Sequence, residues 1–179
     1  MDKKILLNVG GGPDRDILPE RYAGYEHQIL DINPEVGADI VCDAKDLNIF
    51  DKYDAVYSSH TLEHFYKHEV AIVLGNMYNC LKKGGTIEII VPDIKELILK
   101  LSKSTLDLHD VYYRTGAGIP VTYHDVLYGW DFAMSSGNLY FAHKCGFTDL
   151  SLKTCLHLAG FSGIEVSSNA TNLFGRGIK

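Results

Sequence analysis

Three groups of residues have types and spacings that could do chemistry. The first is Gly10-Gly11-Gly12, answered about twenty residues later by Asp31. An apolar run of strand length, Ile5-Leu6-Leu7-Asn8-Val9, stops at the glycines, and a second short run, Ile29-Leu30, ends in the aspartate. Glycine lets the backbone bend sharply and lets a ligand approach the main chain. A carboxylate at the tip of the next parallel strand can accept hydrogen bonds from both hydroxyls of a ribose. The pair reads as a nucleoside-cofactor site. The second group is His124-Asp125 with His143. Histidine can remove a proton near neutral pH, so His124, backed by Asp125, and His143 are candidates for a general base or an acceptor contact. Tyr128 and Trp130, between them, could stack on a sugar or a ring. The third is His60-Thr61-Leu62-Glu63-His64, which matches the H-x-x-E-H pattern of zinc proteases. Two histidines four apart share a helix face, but no distal third ligand is evident, so no metal is expected. His60 is expected to line the cofactor cleft, and Glu63 and His64 to pin the start of a helix.

What the glycine motif lacks narrows the cofactor. The dinucleotide fingerprint is G-x-G-x-x-G. Gly10 and Gly12 supply its first two glycines, but Arg15 sits where the third belongs. Pro13 also disfavours a tight helical start on Gly12. A pyrophosphate usually binds at the helix amino end beyond that third glycine, so a cofactor without phosphate is favoured. S-adenosylmethionine, an adenosine joined to a methionine, fits. Two rival readings stand beside it: a protein that binds this cofactor without catalysis, and a nicotinamide-dependent reductase, against which Arg15 counts.

The elements that must position these residues follow from periodicity. Residues 4 to 9 read as a first, interior strand. Residues 13 to 26, with Pro13, Pro19 and Gly24, are poor material for a long helix. Residues 27 to 31 and 39 to 42 read as short strands. The link between them is too short for a crossover helix, so the sheet should be trimmed at this edge. Residues 53 to 58 read as a fourth strand. Ser59 is a plausible N-cap for a helix carrying Leu62, Phe65, Tyr66, Val70, Val73, Leu74, Met77, Tyr78 and Leu81 at helical spacing. Lys82-Lys83-Gly84-Gly85 should end that helix. Residues 86 to 91 read as a fifth strand, and Pro92-Asp93 opens a helix to about Leu101. Residues 104 to 147, long, aromatic and polar, read as a functional loop or lid. Thr148 should cap a last helix through Leu158, and residues 163 to 168 and 173 to 178 a closing hairpin. Strand–helix–strand order with short links implies parallel strands and right-handed crossovers.

Length and composition bound the rest. The chain has 179 residues, 46% of them hydrophobic and 22% charged, with a formal net charge of -6. That suits one globular domain. The acidic balance and the absence of a basic cluster beyond Lys3-Lys4 and Lys82-Lys83 disfavour a nucleic-acid partner. No apolar run approaches the roughly 18 residues of a membrane helix, and no signal segment is evident. Cys42, Cys80, Cys145 and Cys155 lack C-x-x-C spacing and read as reduced thiols, which points to the cytoplasm.

With these motifs on the page, the chain resembles the class I S-adenosylmethionine-dependent methyltransferases. Leu7-Asn8-Val9-Gly10-Gly11-Gly12 resembles their first motif, Leu30-Asp31-Ile32 their acidic second strand, and Ile40-Val41-Cys42-Asp43-Ala44 their adenine-side motif. The most specific match is residues 53 to 65, through Ser58-Ser59-His60-Thr61-Leu62-Glu63-His64, with Leu81-Lys82-Lys83-Gly84-Gly85 and Val91-Pro92-Asp93 close behind. More narrowly, Leu127-Tyr128-Gly129 and His143-Lys144-Cys145-Gly146-Phe147 resemble elements of small methyltransferases linked with surface-polysaccharide biosynthesis. Asn8 stands where an acidic residue often begins the first motif, and the Asn/Asp-Pro-Pro-Tyr motif of amino-directed DNA methyltransferases is absent at Ser58 to Thr61.

The resemblance implies an α/β fold: a Rossmann-like doubly wound sheet of about seven strands with an antiparallel last strand, trimmed at one edge, in a single domain over 1–179. The insertion 104–147 would be a lid before the last helix. It implies a cofactor site of Asn8, Gly10, Gly11, Gly12, Asp31, Ile32, Asp43, Ala44, Ser59 and His60. The glycines would meet the methionine part, Asp31 the ribose and Asp43 the adenine amino group. The expected activity is methyl transfer to a small-molecule acceptor, a saccharide or its precursor.

Overall fold

The structure is a computed structural model that describes residues 3–13, 18–103, 105–169 and 171–179. Arg15, on which the third-glycine argument rests, and Ser104, the first residue of the expected lid, lie outside them. Strand β1, Ile5–Val9, is buried along almost its whole length and runs parallel to β2, Glu26–Asp31. β2 pairs in turn with β3, which is only Ile40–Val41. Between these strands the chain makes single 3₁₀ turns at Glu20–Tyr22 and Pro34–Val36. The edge is trimmed as the short links require.

The other half is thicker. Strand β4, Tyr53–Ser59, lies between β1 and β5, Leu81–Pro92, and is parallel to both. Helix α1, Val70–Cys80, joins β4 to β5 and buries Val70, Val73, Leu74, Met77 and Cys80, a single stripe at helical spacing. Helix α2, Ile94–Ser102, begins at Asp93, whose carboxylate accepts from Glu96 N at 3.1 Å. An antiparallel ribbon follows, β6 (Val111–Arg114) and β7 (Pro120–Thr122), then two short helices, α3 (Tyr123–Tyr128) and α4 (Asp131–Met134). Helix α5, Asp149–Leu158, opens with a reciprocal cap between Thr148 and Ser151. Strands β8 (Ser162–Ser168) and β9 (Asn172–Ile178) form the closing hairpin.

The sheet order is β3-β2-β1-β4-β5-β9-β8, with β9 antiparallel to both neighbours. The main core lies where α1 and α5 cover one face, among Leu7, Val56, Met77, Ile89, Leu152 and Leu156. On the opposite face a smaller cluster of Leu6, Tyr22, Ala55 and Tyr57 is buried. There the buried carboxylate of Glu88 is gripped by Arg21 and lies 3.5 Å from Arg176 Nε. The four cysteines are free thiols, and among the described residues no helix is long and apolar enough to cross a membrane.

Two expectations for the β4–β5 crossover are corrected. Ser59 does not cap a helix; it is the last residue of β4, and the α-helix starts eleven residues later at Val70. His60 adopts a left-handed φ of 53°, and Thr61 Oγ1 donates to Val9 O at 3.0 Å. The chain is turned back against β1, and Leu62–His64 forms only a 3₁₀ turn. Leu62 fits the helical spacing because it is buried in the core shared with α1. At the other end, α1 stops at Cys80, and residues 82 to 85 belong to β5. Their cation has a different use: Lys82 Nζ lies 2.9 Å from Asp54, opposite a register shift in the β4–β5 pairing.

Candidate functional site

All five parallel strands deliver their carboxyl ends to one edge of the sheet. The order reverses between β1 and β4, where a doubly wound sheet opens a crevice for ligands. The first rim of this crevice is main chain. Gly10 and Gly12 have φ of +70° and +60°, backbone that L side chains rarely adopt. A Cβ on Gly10 would lie 2.3 Å from Thr61 Oγ1, and one on Gly11 2.6 Å from Asn8 Nδ2. A Cβ on Gly12 would meet nothing within 4 Å. The turn is therefore packed from below and open above. Asp31, at the tip of β2, accepts from Gly12 N at 3.2 Å and from Asn33 N at 2.9 Å. A carboxylate has about four acceptor positions, so these two bonds hold Asp31 in place and leave it able to accept from a diol.

This rim fits the nucleoside part of S-adenosylmethionine: a side-chain-free turn, open space over Gly12 and a fixed carboxylate one strand away. The other residues expected there fall into different surroundings. Asn8 is buried beneath Gly11, and Ala44 is buried, whereas Ile32 is exposed. Asp43 caps the 3₁₀ turn Ala44–Asp46 by accepting from Lys45 N at 2.9 Å, and its second oxygen lies 3.4 Å from Lys45 Nζ.

The second rim is made of side chains. A cavity of about 510 Å³ opens beside β4 and β5, lined by His60, His64, Tyr112, Trp130, Phe141 and His143 among others. Thr171, just before β9, and Asn172, its first residue, also border it. Thr61 connects the two rims, since its side chain packs under Gly10 while its neighbour His60 faces the cavity.

His143 reaches this wall because the strip 142–145 docks on the 62–64 turn. Lys144 N and Cys145 N donate to Glu63 O at 2.7 and 3.2 Å. The strip also pairs with the end of α3: His143 N donates to Tyr128 O at 3.0 Å, and Gly129 bridges Ala142. Gly129 has φ +110°, and a Cβ there would lie 2.1 Å from Phe141 O. The two elements of the narrower resemblance are thus packed on each other. His143 Nδ1 lies 2.9 Å from Val126 O, which assigns it the proton and leaves Nε2 an acceptor.

Behind the two histidines sits Glu63, 1% exposed. Its Oε1 is 3.2 Å from His60 Nδ1. Burial opposes the charged form of both partners, but their mutual hydrogen bond and charge outweigh it: Glu63 is held below the usual carboxylate range and His60 above the usual imidazole range. Burial lowers His143 despite the attraction of Glu63. His60 therefore belongs to a histidine–carboxylate cluster on the cavity.

The other expected side chains separate. Asp125 borders the cavity, but its oxygens are engaged by Thr122 N, Thr122 Oγ1 and Asp131 N at 2.7, 2.7 and 3.0 Å. It closes the reciprocal cap of α3. His124 stacks between His109 and Tyr128 at ring distances of 5.6 and 4.9 Å, and neither His124 nor Tyr128 lines the cavity. Trp130 does line it, with a buried indole N–H that has no acceptor. Sequence reasoning passed over Glu63 and His64 as helix-pinning residues, although the H-x-x-E-H spacing marked them. Phe141, Tyr112 and Tyr113 carried no signal beyond the aromatic character of the insertion.

An open crevice at the switch point of this sheet, with a reversed hairpin at its far edge, defines the Rossmann-like methyltransferase fold. A family model described as a methyltransferase domain matches residues 2–166, and the chain belongs to that family. Among solved structures, a SAM-dependent methyltransferase from Archaeoglobus fulgidus is 16% identical with a TM-score of 0.62, the match covering 99% of this chain and 86% of that one. An S-adenosylmethionine-dependent methyltransferase from Mesorhizobium loti is 17% identical with a TM-score of 0.61, covering 98% of this chain and 90% of that one. A possible exported protein from Bordetella parapertussis is 15% identical with a TM-score of 0.60, and the match covers 99% of this chain but 62% of that protein. A search of curated proteins found no match.

Proposed function

We propose that this protein transfers the methyl group of S-adenosylmethionine to a small-molecule acceptor, a saccharide or its biosynthetic precursor, in the cytoplasm. The observation that carries this reading is the glycine turn held against Asp31, open over Gly12 and joined through Thr61 to a cavity of about 510 Å³. One rim suits a nucleoside and the other a second molecule of modest size. Solved structures of this fold include a didemethyltoxoflavin N1-methyltransferase from Burkholderia thailandensis with bound S-adenosylhomocysteine, in keeping with a small acceptor.

The bound cofactor would supply an activated methyl on a sulfonium, and the chain's task is orientation. Asp31 would accept from the ribose hydroxyls, and Gly10 to Gly12 would flank the methionine part. Asp43 keeps an oxygen turned to Lys45 that could accept from the adenine amino group. On the acceptor side, residues 105–147 would act as the lid, with Trp130 stacking on a ring and offering its unpaired N–H. Of His124, Asp125 and His143, His143 is the base candidate with a free ring nitrogen on the cavity wall.

Calorimetric titration of S-adenosylmethionine and S-adenosylhomocysteine tests this. Micromolar binding that Asp31→Ala weakens by about 1–3 kcal/mol, the cost of unmade charged hydrogen bonds, is the expected result. A folded protein that binds neither would overturn the reading. Formation of S-adenosylhomocysteine with a saccharide screen would then separate an enzyme from a mere binder.

A further inference from the structure

The cluster behind the cavity wall has a buried charge with an empty coordination position. Glu63 is 1% exposed and its Oε2 is buried without a hydrogen-bond partner among the described residues. A buried carboxylate left half-satisfied is costly unless a cation or donor completes it. One ligand atom from each of Glu63, His64 and His143 lies within 4.8 Å of the other two. Ligands about 2.0–2.2 Å from one ion stand roughly 3–4 Å apart, so side-chain rotations that draw these atoms in from within 4.8 Å are what a common centre requires.

The surroundings are those of a metal site. His143 Nδ1 is tied to Val126 O, which leaves Nε2 as the ligand nitrogen, the usual outer-shell arrangement for a coordinating imidazole. Glu63 Oε1 is held by His60 Nδ1, leaving Oε2. His64 has Nδ1 3.1 Å from Ala142 O and Nε2 3.1 Å from His60 O. A neutral imidazole can donate through only one nitrogen, so the other faces a carbonyl lone pair to lone pair. Turning the ring to bring that nitrogen onto an ion would relieve the conflict at the loss of one carbonyl contact.

We propose that Glu63, His64 and His143 bind a divalent transition-metal ion on the cavity wall, with His60 orienting the carboxylate. Two imidazoles and one carboxylate suit zinc, cobalt, manganese or iron, and three protein ligands leave positions open to the cavity. The proposal departs from the expectation drawn from the sequence, where no third ligand for the H-x-x-E-H pattern was visible. His143 is that ligand, about eighty residues away in the chain. The ion's use rests on the methyl-transfer reading: bound to an acceptor hydroxyl, it would make that proton easier to lose to solvent water in the open cavity, with His143 as ligand in place of base. The ion's binding does not depend on that reading.

The test is calorimetric titration of zinc(II), and separately cobalt(II), into the full chain after chelator dialysis, with no cofactor present. One ion per chain is expected, with affinity at least 100-fold weaker in Glu63→Gln and in His143→Ala. The cobalt(II) protein should show visible absorption that both variants lose. Glu63 is buried and its variant is at risk of misfolding; His143, on the cavity wall, is the second arm, and circular dichroism reports the fold of each. A chain that binds no ion, or variants that bind it as tightly as the parent, overturns the site. Cofactor titration on the same samples reads the methyl-transfer proposal independently.

Discussion

The two rims of the crevice are built in opposite ways. The rim at Gly10–Gly12 and Asp31 is main chain plus one carboxylate, drawn from two adjacent strands. The rim at His60, Glu63, His64 and His143 is side chains, drawn from the end of β4 and from an insertion about eighty residues later. The first is held by the sheet itself. The second exists only while the 142–145 strip stays docked on the 62–64 turn through Lys144, Cys145 and Gly129. A main-chain rim keeps its shape whatever the side chains, and a side-chain rim can vary while the sheet stays the same.

The sharpest way to break that contrast is Gly129→Ala. Its Cβ would meet the Phe141 carbonyl oxygen at 2.1 Å with φ +110°, so backbone must move and docking should fail at a cost of about 3 kcal/mol or more. Urea denaturation should show the loss, while S-adenosylmethionine titration should change little. Equal damage to cofactor binding would mean the rims are not separable. Gly10→Ala should do the reverse. Its Cβ displaces the Thr61 side chain and strains a positive φ, for about 2 kcal/mol of stability and most of the cofactor affinity.

Finer cuts sharpen the comparison. Asp31→Ala should weaken cofactor binding about 5- to 150-fold and leave zinc binding intact, with His143→Ala giving the mirror image. Overlapping losses would join the two sites. The smallest effect is a control at the far end of β1. Asp54 accepts from Ile5 N at 2.8 Å and from Lys82 Nζ at 2.9 Å. Burial opposes its charge, but these bonds outweigh it and hold the carboxyl below its ordinary value. Its contribution is complete above the unfolded value near about 4 and is lost as pH falls through the lower folded value. Asp54→Asn should cost about 1 kcal/mol at pH 7 and progressively less as pH falls below that range, read from denaturation midpoints, with neither ligand affected.

The contrast also explains what could be read from the chain. Local patterns were legible: glycines after an apolar run, Asp31 at a strand tip, the Thr148 cap, the closing hairpin and the shortened third strand all have causes within a few residues. The α1 boundaries misled because Leu62 is buried in a 3₁₀ turn for the same reason that Val73 is buried in a helix: both face one core. Apolar spacing reports the buried face and not the hydrogen bonds of the backbone. His64 and His143 could not be joined from spacing, since the link is a docked strip of backbone bonds. Asp125, read from the sequence as backing for a base, closes the cap of α3 at the border of the cavity, because a carboxylate three residues after a threonine serves either purpose.

Strand β9 lies between β5 and β8, so the strand that follows β8 in the chain is inserted inside it instead of being added at the sheet's edge. During synthesis the flank of β5 stays unpaired until residues 172–178 have left the ribosome, a bare apolar edge on a nascent chain. Pairing of β9 with β5 and β8 then fills the gap and brings Thr171 and Asn172 to the cavity. The cavity wall at Thr171 and Asn172 is therefore completed only when the sheet closes.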